Sequence, residues 1–236
     1  FRTLTRRYAT KFLRTRRPIN ISLTRCVVVA LLFGFTFMSM SDGSGYEAYK
    51  VRLSFCFFSV FFNCIVQMQT IPPFFEDRLL YFRERGARIY HPIVFWIATW
   101  VVYCAFLLVH VLLYCIIAYN MSGMEHSIEK FLTFYVSVFF AALTAFFCCQ
   151  TIAAMSPTPQ AAMGLYPNVV FTNFLFSGFF QFIPEMRTWL AAWLPSLSWI
   201  RWSYQAVVNN EIVNNPKLSE IATYQVRFGY ENQGAG

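Results

Sequence analysis

The dominant regularity along the chain is the absence of charge. Residues 53–71, 92–119, 131–155 and 161–183 each contain no Asp, Glu, Lys or Arg. A bilayer core about 30 Å thick requires roughly 20 apolar residues in a helix rising 1.5 Å per residue, longer than the uncharged stretch of most buried helices in soluble proteins. Each of the four is therefore predicted to cross a membrane. A fifth run, 21–40, carries only Arg25, whose long side chain is expected to snorkel to the headgroups. Between the second and third runs, residues 74–92 read FFEDRLLYFRERGARIYHP, in which charges of both signs alternate with Phe, Leu and Tyr. That pattern predicts a short amphipathic helix at the membrane surface. After Pro184 the chain is rich in Trp189, Trp193, Trp199, Trp202 and Tyr204 and is broken by Pro195. Trp and Tyr settle at bilayer interfaces, so one or two short re-entrant helices dipping into the outer leaflet are expected there.

The fold class read from this pattern is an all-α polytopic membrane protein. Residues 1–20 form a cytoplasmic amphipathic connecting helix. Residues 21–183 form a bundle of five spans (about 21–40, 53–71, 92–119, 131–155 and 161–183). Residues 184–236 form an external region. An odd number of spans leaves the two termini on opposite sides, and the polar run after Tyr230 ends without a further span. A sixth span beyond residue 236 is therefore expected, and the start at Phe1 reads as a cut from something larger.

Composition strengthens the membrane reading: 57% of residues are hydrophobic, only 13% are charged, and 28 are Phe. Charged residues make up about a quarter of an ordinary soluble protein. The net charge of +8 raises the question of nucleic acid, but it is gathered at one end. Arg2, Arg6, Arg7, Lys11, Arg14, Arg16, Arg17 and Arg25 precede or begin the first span with no acidic residue among them. Arg78, Arg83, Arg85 and Arg88 lie in the loop after the second span, whereas the short loops on the other side carry only Lys50, Arg52 and Lys130. The asymmetry predicts a cytoplasmic N-terminus and excludes a nucleic-acid partner, since basic residues flank spans on the cytoplasmic side.

Catalytic text is absent. The chain has no G-x-x-x-x-G-K-[ST], H-E-x-x-H, G-x-S-x-G or C-x-x-C. All seven cysteines fall inside expected spans and read as small packing residues, not as metal ligands or a disulfide framework. His110, alone in the third span, reads as a hydrogen-bonded packing residue or a proton relay, and the spans offer no acidic partner for it. Asn120-Met121-Ser122 is a glycosylation sequon in a loop placed outside.

Several fragments, taken in order, carry a resemblance. They are the basic helix before span one, E-D-R-x-x-x-F-R-E-R-x-x-x-x-Y over residues 76–90, F-S-G-F-F over 176–180, and the Trp-rich run that ends in R-W-x-Y-Q-A-x-x-x-N-E at Glu211. In this order they resemble the transmembrane domain of the G subfamily (white and pleiotropic drug resistance type) of ATP-binding cassette transporters. The resemblance implies six spans, a separate ATPase domain holding ATP and Mg, a second membrane domain related by a two-fold or pseudo-two-fold axis, and a hydrophobic small-molecule or lipid substrate. No cofactor is expected in this chain itself. The resemblance also implies a substrate cavity lined by Phe61, Phe62, Ile65, Phe171 and Phe174, and a plug formed by Phe179 and Phe180 directly after Gly178. Coupling to the ATPase falls to Glu76, Arg83, Glu84 and Arg85, with Glu84 foremost. The expected function is the permeation domain of an ATP-driven exporter in the plasma membrane. A passive channel and a non-transporting scaffold or receptor are the alternatives.

Overall fold

The computed structural model describes residues 1–38, 46–124, 127–179 and 193–212. Their regular structure is all helical, with no strand among them. The helices are α1 (Arg2–Arg14), α2 (Arg16–Thr36), α3 (Tyr46–Ile65), α4 (Ile71–Gly86), α5 (Pro92–Met121), α6 (Ile128–Met155), α7 (Pro159–Leu175), α8 (Leu194–Leu197) and α9 (Trp199–Ile212). Among the described residues four stretches are long and apolar enough to cross a membrane: Ile19–Thr36, Lys50–Gly86, Pro92–Met121 and Ile128–Met155. Helix α7, at 17 residues, is about 26 Å long, slightly short of a hydrocarbon core.

Cross-contacts set the directions of the helices. Cys26 meets His110, and Gly34 meets Met121, so α2 and α5 run parallel. Tyr114 bonds Ser59 and Tyr103 bonds Gln67, so α3 is antiparallel to α5. Tyr135 reaches the Leu108 carbonyl while Phe146 stacks on Tyr103, so α6 also opposes α5. Tyr166 donates to the Cys64 carbonyl at 2.6 Å and Phe174 lies against Phe57, so α7 opposes α3. The five long helices therefore alternate in direction along the chain. One end of the bundle carries α1, α4 and the α6–α7 turn; the far end carries α9.

Lipid tails are as apolar as the side chains, so the helices are held by close packing and interhelical hydrogen bonds. Helix α6 buries Ala141, Ala142, Ala145, Cys149 and Ala153, small residues that let its neighbours approach. Gly34 does the same for α2: a Cβ there would lie 2.7 Å from the Cβ of Met121, so any side chain would force the two helices apart. All seven cysteines are free thiols.

Three boundaries differ from the sequence reading. The helix of the first span begins at Arg16 and its apolar stretch at Ile19, ahead of residue 21, which places Arg25 in the third turn. Instead of snorkelling, its guanidinium turns inward and donates to the Gln69 side chain, because a membrane-depth donor is better satisfied by a buried carbonyl than by lipid. The second span and the amphipathic helix expected after it are joined through a 3₁₀ segment, Val66–Thr70, and no loop separates them. Pro72 and Pro73 supply no N–H and crowd the preceding turn, which tightens before α4 restarts. Helix α7 stops at Leu175, and residues 180–183 of the expected fifth span lie outside the described residues. Helix α9 is docked on protein: Ile200, Tyr204, Val207, Val208 and Glu211 are buried at the far end, while Trp193 and Trp202 stay half exposed.

Candidate translocation pathway and coupling face

At the first end, α1 is stapled across α4. Its apolar side, Tyr8 and Phe12, packs edge-on against Phe95 and Phe106 of α5. Its basic side faces α4, where Lys11 pairs with Asp77 and Arg7 pairs with Glu84 at 2.8 Å. Tyr90 closes the arrangement by donating its hydroxyl to Glu84 at 2.6 Å. Burial, then the hydrogen bond and charge of Glu84, push the Tyr90 phenol above its ordinary range; burial and the Asp77 charge do the same to Tyr8. Both lysine and arginine partners are half exposed, so each ion pair contributes no more than about 1 kcal/mol.

This arrangement separates the four residues expected to couple to an ATPase. Glu84 is turned inward and committed to Arg7 and Tyr90. Glu76, Arg83 and Arg85 are exposed, as are Leu79 and Phe82 of the same helix. Helix α4 is tied to the rest of the bundle by Arg78, which lies over the rings of Phe75 and Phe82 and donates to the Ser156 carbonyl at 3.0 Å. Ser156 caps the C-terminus of α6, so α4 is bonded to the turn that leads into α7.

Between α3 and α7 lies an aromatic cluster. Phe61 sits 4.7 Å from Phe174 and 6.0 Å from Phe171. Phe171 remains half exposed. Ile65 and Phe174 are partly buried against the core. Phe62 departs from the group: its ring packs 5.6 Å from Tyr114 and 6.2 Å from Phe33, towards α5 and α2, because it lies about 100° around α3 from Phe61.

Past the end of α7, Gly178 adopts φ 84°, a left-handed conformation open to glycine at little cost. The turn delivers Phe179 onto Phe57, with ring centroids 4.3 Å apart and planes 4° from parallel. Tyr204 of α9 stands edge-on to both rings. Ser198 fastens the junction by donating to the Asn173 carbonyl at 2.8 Å and accepting from the Arg201 amide. Phe180, the other expected plug residue, lies outside the described residues. Phe57 was not expected here from sequence, and Tyr204 was expected only as an interfacial aromatic; an i, i+4, i+8 stripe of Phe57, Phe61 and Ile65 on α3 was the available signal.

Asn120 is exposed in the last turn of α5, whereas Ser122 of the same sequon is buried with its hydroxyl on the Tyr119 carbonyl. His110 is fully buried beside Phe106. Among the described residues no cluster of His, Cys, Asp or Glu is positioned to hold a metal.

The arrangement is that of a multi-pass helical membrane domain with a charged clasp at one end and an aromatic closure at the other. Residues 1–212 match the family described as ABC-2 type transporter, and the chain belongs to it. It is 26% identical over 87% of its length to ABC transporter G family member 52 of Oryza sativa subsp. japonica, and 22% identical over 82% to ABC transporter G family member 2 of Dictyostelium discoideum. It is 23% identical over 86% to the Brefeldin A resistance protein of Schizosaccharomyces pombe. The chain spans only 15%, 14% and 14% of the lengths of these relatives, respectively.

Proposed function

We propose that this chain is the permeation domain of an ATP-driven exporter of hydrophobic small molecules or lipids. The observation that carries the reading is the aromatic surface of Phe61, Phe171 and Phe174 between α3 and α7, closed at the far end by Phe57, Phe179 and Tyr204. Such a surface suits flat apolar ligands, which gain about 25 cal/mol for each Å² removed from water and further from ring contacts. Phe179, with Phe180, acts as the plug, and Ile65 extends the wall. Phe62 contributes through packing against Tyr114.

In this reading the end with α1 and α4 faces the cytosol, in keeping with its basic residues. The exposed residues of α4, Glu76, Leu79, Phe82, Arg83 and Arg85, dock the ATPase domain that holds ATP and Mg. Glu84 holds α1 to α4 so that the two move together. A second membrane domain completes the cavity, α7 serves as a fifth span, a sixth follows, α9 borders the outer leaflet, and the plasma membrane is the site of action. Asn120 is glycosylated only if modification precedes closure of the turn at Ser122. The polar side chains of α3 and the 3₁₀ segment after it argue against a channel, because Asn63 and Gln67 are buried and donate to carbonyls one turn back.

The deciding experiment is uptake of a hydrophobic dye into inverted vesicles bearing the full-length protein. ATP-dependent accumulation against a gradient is expected, weakened by Phe179→Ala. Downhill flux without ATP would establish the channel instead.

A further inference from the structure

Helix α1 does not use all of its charge in the clasp. Arg7 and Lys11 point to Glu84 and Asp77. Arg6 and Arg14 are exposed, and among the described residues no carboxylate lies within ion-pairing distance of either. Both line a cleft of about 960 Å³ between α1 and the segment leading into α5. Thr10 adds a hydroxyl to the same wall, and the opposite wall is Ile89, Tyr90 and Val94. Ile89 is a large apolar side chain left 65% exposed.

The level of this cleft follows from packing. Tyr8 and Phe12 rest on Phe95 and Phe106, in the first half of α5, so α1 lies along the mouth of a span that begins at Pro92. A site at that depth meets lipid headgroups on one side and the start of the acyl chains on the other. Its donors are cationic and planar, suited to bidentate contact with phosphate, and its far wall is apolar. The two acids nearest to it are already neutralised by Arg7 and Lys11, which leaves the cleft with an excess of positive charge.

We propose that this cleft is a binding site for an anionic phospholipid of the adjoining leaflet, with Arg6 and Arg14 taking the headgroup charge and Ile89 and Val94 the upper acyl chain. A lipid seated there bridges α1 and the start of α5, and so ties the clasp to leaflet composition. The inference depends on α1 lying at a bilayer surface and is independent of transport direction or substrate.

The test uses the full-length protein in nanodiscs of phosphatidylcholine with phosphatidylserine, the retained lipid being counted by native mass spectrometry. Wild-type protein is expected to retain phosphatidylserine in preference to phosphatidylcholine. An arginine beside an anionic leaflet contributes about fivefold in affinity, so Arg6→Gln and Arg14→Gln should each lower retention about fivefold, and the double variant by more. Arg2→Gln, which removes an equal charge from the same helix away from the cleft, should leave retention unchanged. Equal loss in Arg2→Gln would show diffuse attraction and no site. Absence of a phosphatidylserine preference in the wild type, as when a preceding segment fills the cleft, would also overturn the proposal. Melting temperatures of the variants separate lost binding from lost folding, and an Arg6→Gln or Arg14→Gln variant that melts like wild type yet retains its lipid counts against the assignment.

Discussion

Arg52, near the start of α3, and Glu211, in the last turn of α9, are 159 residues apart in sequence and meet at 2.5 Å with side chains only 8% and 2% exposed. Two charges taken out of water cost several kcal/mol each, and their attraction offsets that only while both are present. Nearby, Asn210 donates to the Lys130 carbonyl at 2.8 Å, so the end of α9 is bonded to both α3 and α6.

Removing one partner should therefore be worse than removing both. Arg52→Ala or Glu211→Ala is expected to cost about 3 to 5 kcal/mol. Arg52→Met with Glu211→Leu should recover most of it. Thermal unfolding in detergent and surface abundance report the effect; single variants as stable as wild type would mean the pair does not hold α9.

The clasp at the other end divides residues that look alike in sequence. Glu84→Ala should lower stability by about 1 kcal/mol, since the Arg7 pair is partly solvated. Glu76→Ala and Arg83→Ala should leave stability unchanged and reduce transport at matched abundance. If Glu84→Ala alone impairs transport while melting normally, coupling runs through Glu84 and not through the exposed residues.

A left-handed glycine sets the position of the Phe179 ring. Gly178→Ala should cost about 1 to 2 kcal/mol from backbone strain and misplace Phe179. Transport and substrate range are the readouts, and an alanine variant with unaltered substrate range would detach the plug role from this turn.

Phe57→Ala removes the ring on which Phe179 stacks and, in a packed site, costs about 3 to 5 kcal/mol. Phe140→Ala, on an exposed face of α6, should be close to neutral against acyl chains. Similar melting temperatures for the two would place Phe57 in a loosely packed site and weaken the aromatic closure.

Alkaline pH should loosen α1. Tyr8 and Tyr90 titrate above the ordinary tyrosine value in the folded protein, so the fold holds their protons more tightly than the unfolded chain. Their contribution is complete below about pH 10 and is lost as pH rises from there through the folded values. Tyr8→Phe with Tyr90→Phe should flatten that part of the stability profile; an identical alkaline decline in wild type and double variant would show that other groups govern it.

The order of apolar runs, the gathering of arginines at one end, and the motif blocks at residues 76–90 and 176–180 were sufficient to indicate an all-helical membrane domain and its family. Those are properties of short stretches: hydropathy and charge act on each segment against its solvent, whatever its neighbours. The joining of α3 to α4 was less legible, because Pro72 and Pro73 look like the end of a helix and act as the start of another after a 3₁₀ turn. Tertiary structure alone decided that Glu84 turns inward, that Arg25 seeks Gln69, that Phe62 leaves the aromatic cluster, and that Arg52 finds Glu211. Spans that are apolar around their full circumference carry little record of which face meets lipid and which meets protein. Their rotation is set by where small residues, rings and buried hydrogen bonds of other helices fit, and those partners lie tens to hundreds of residues away.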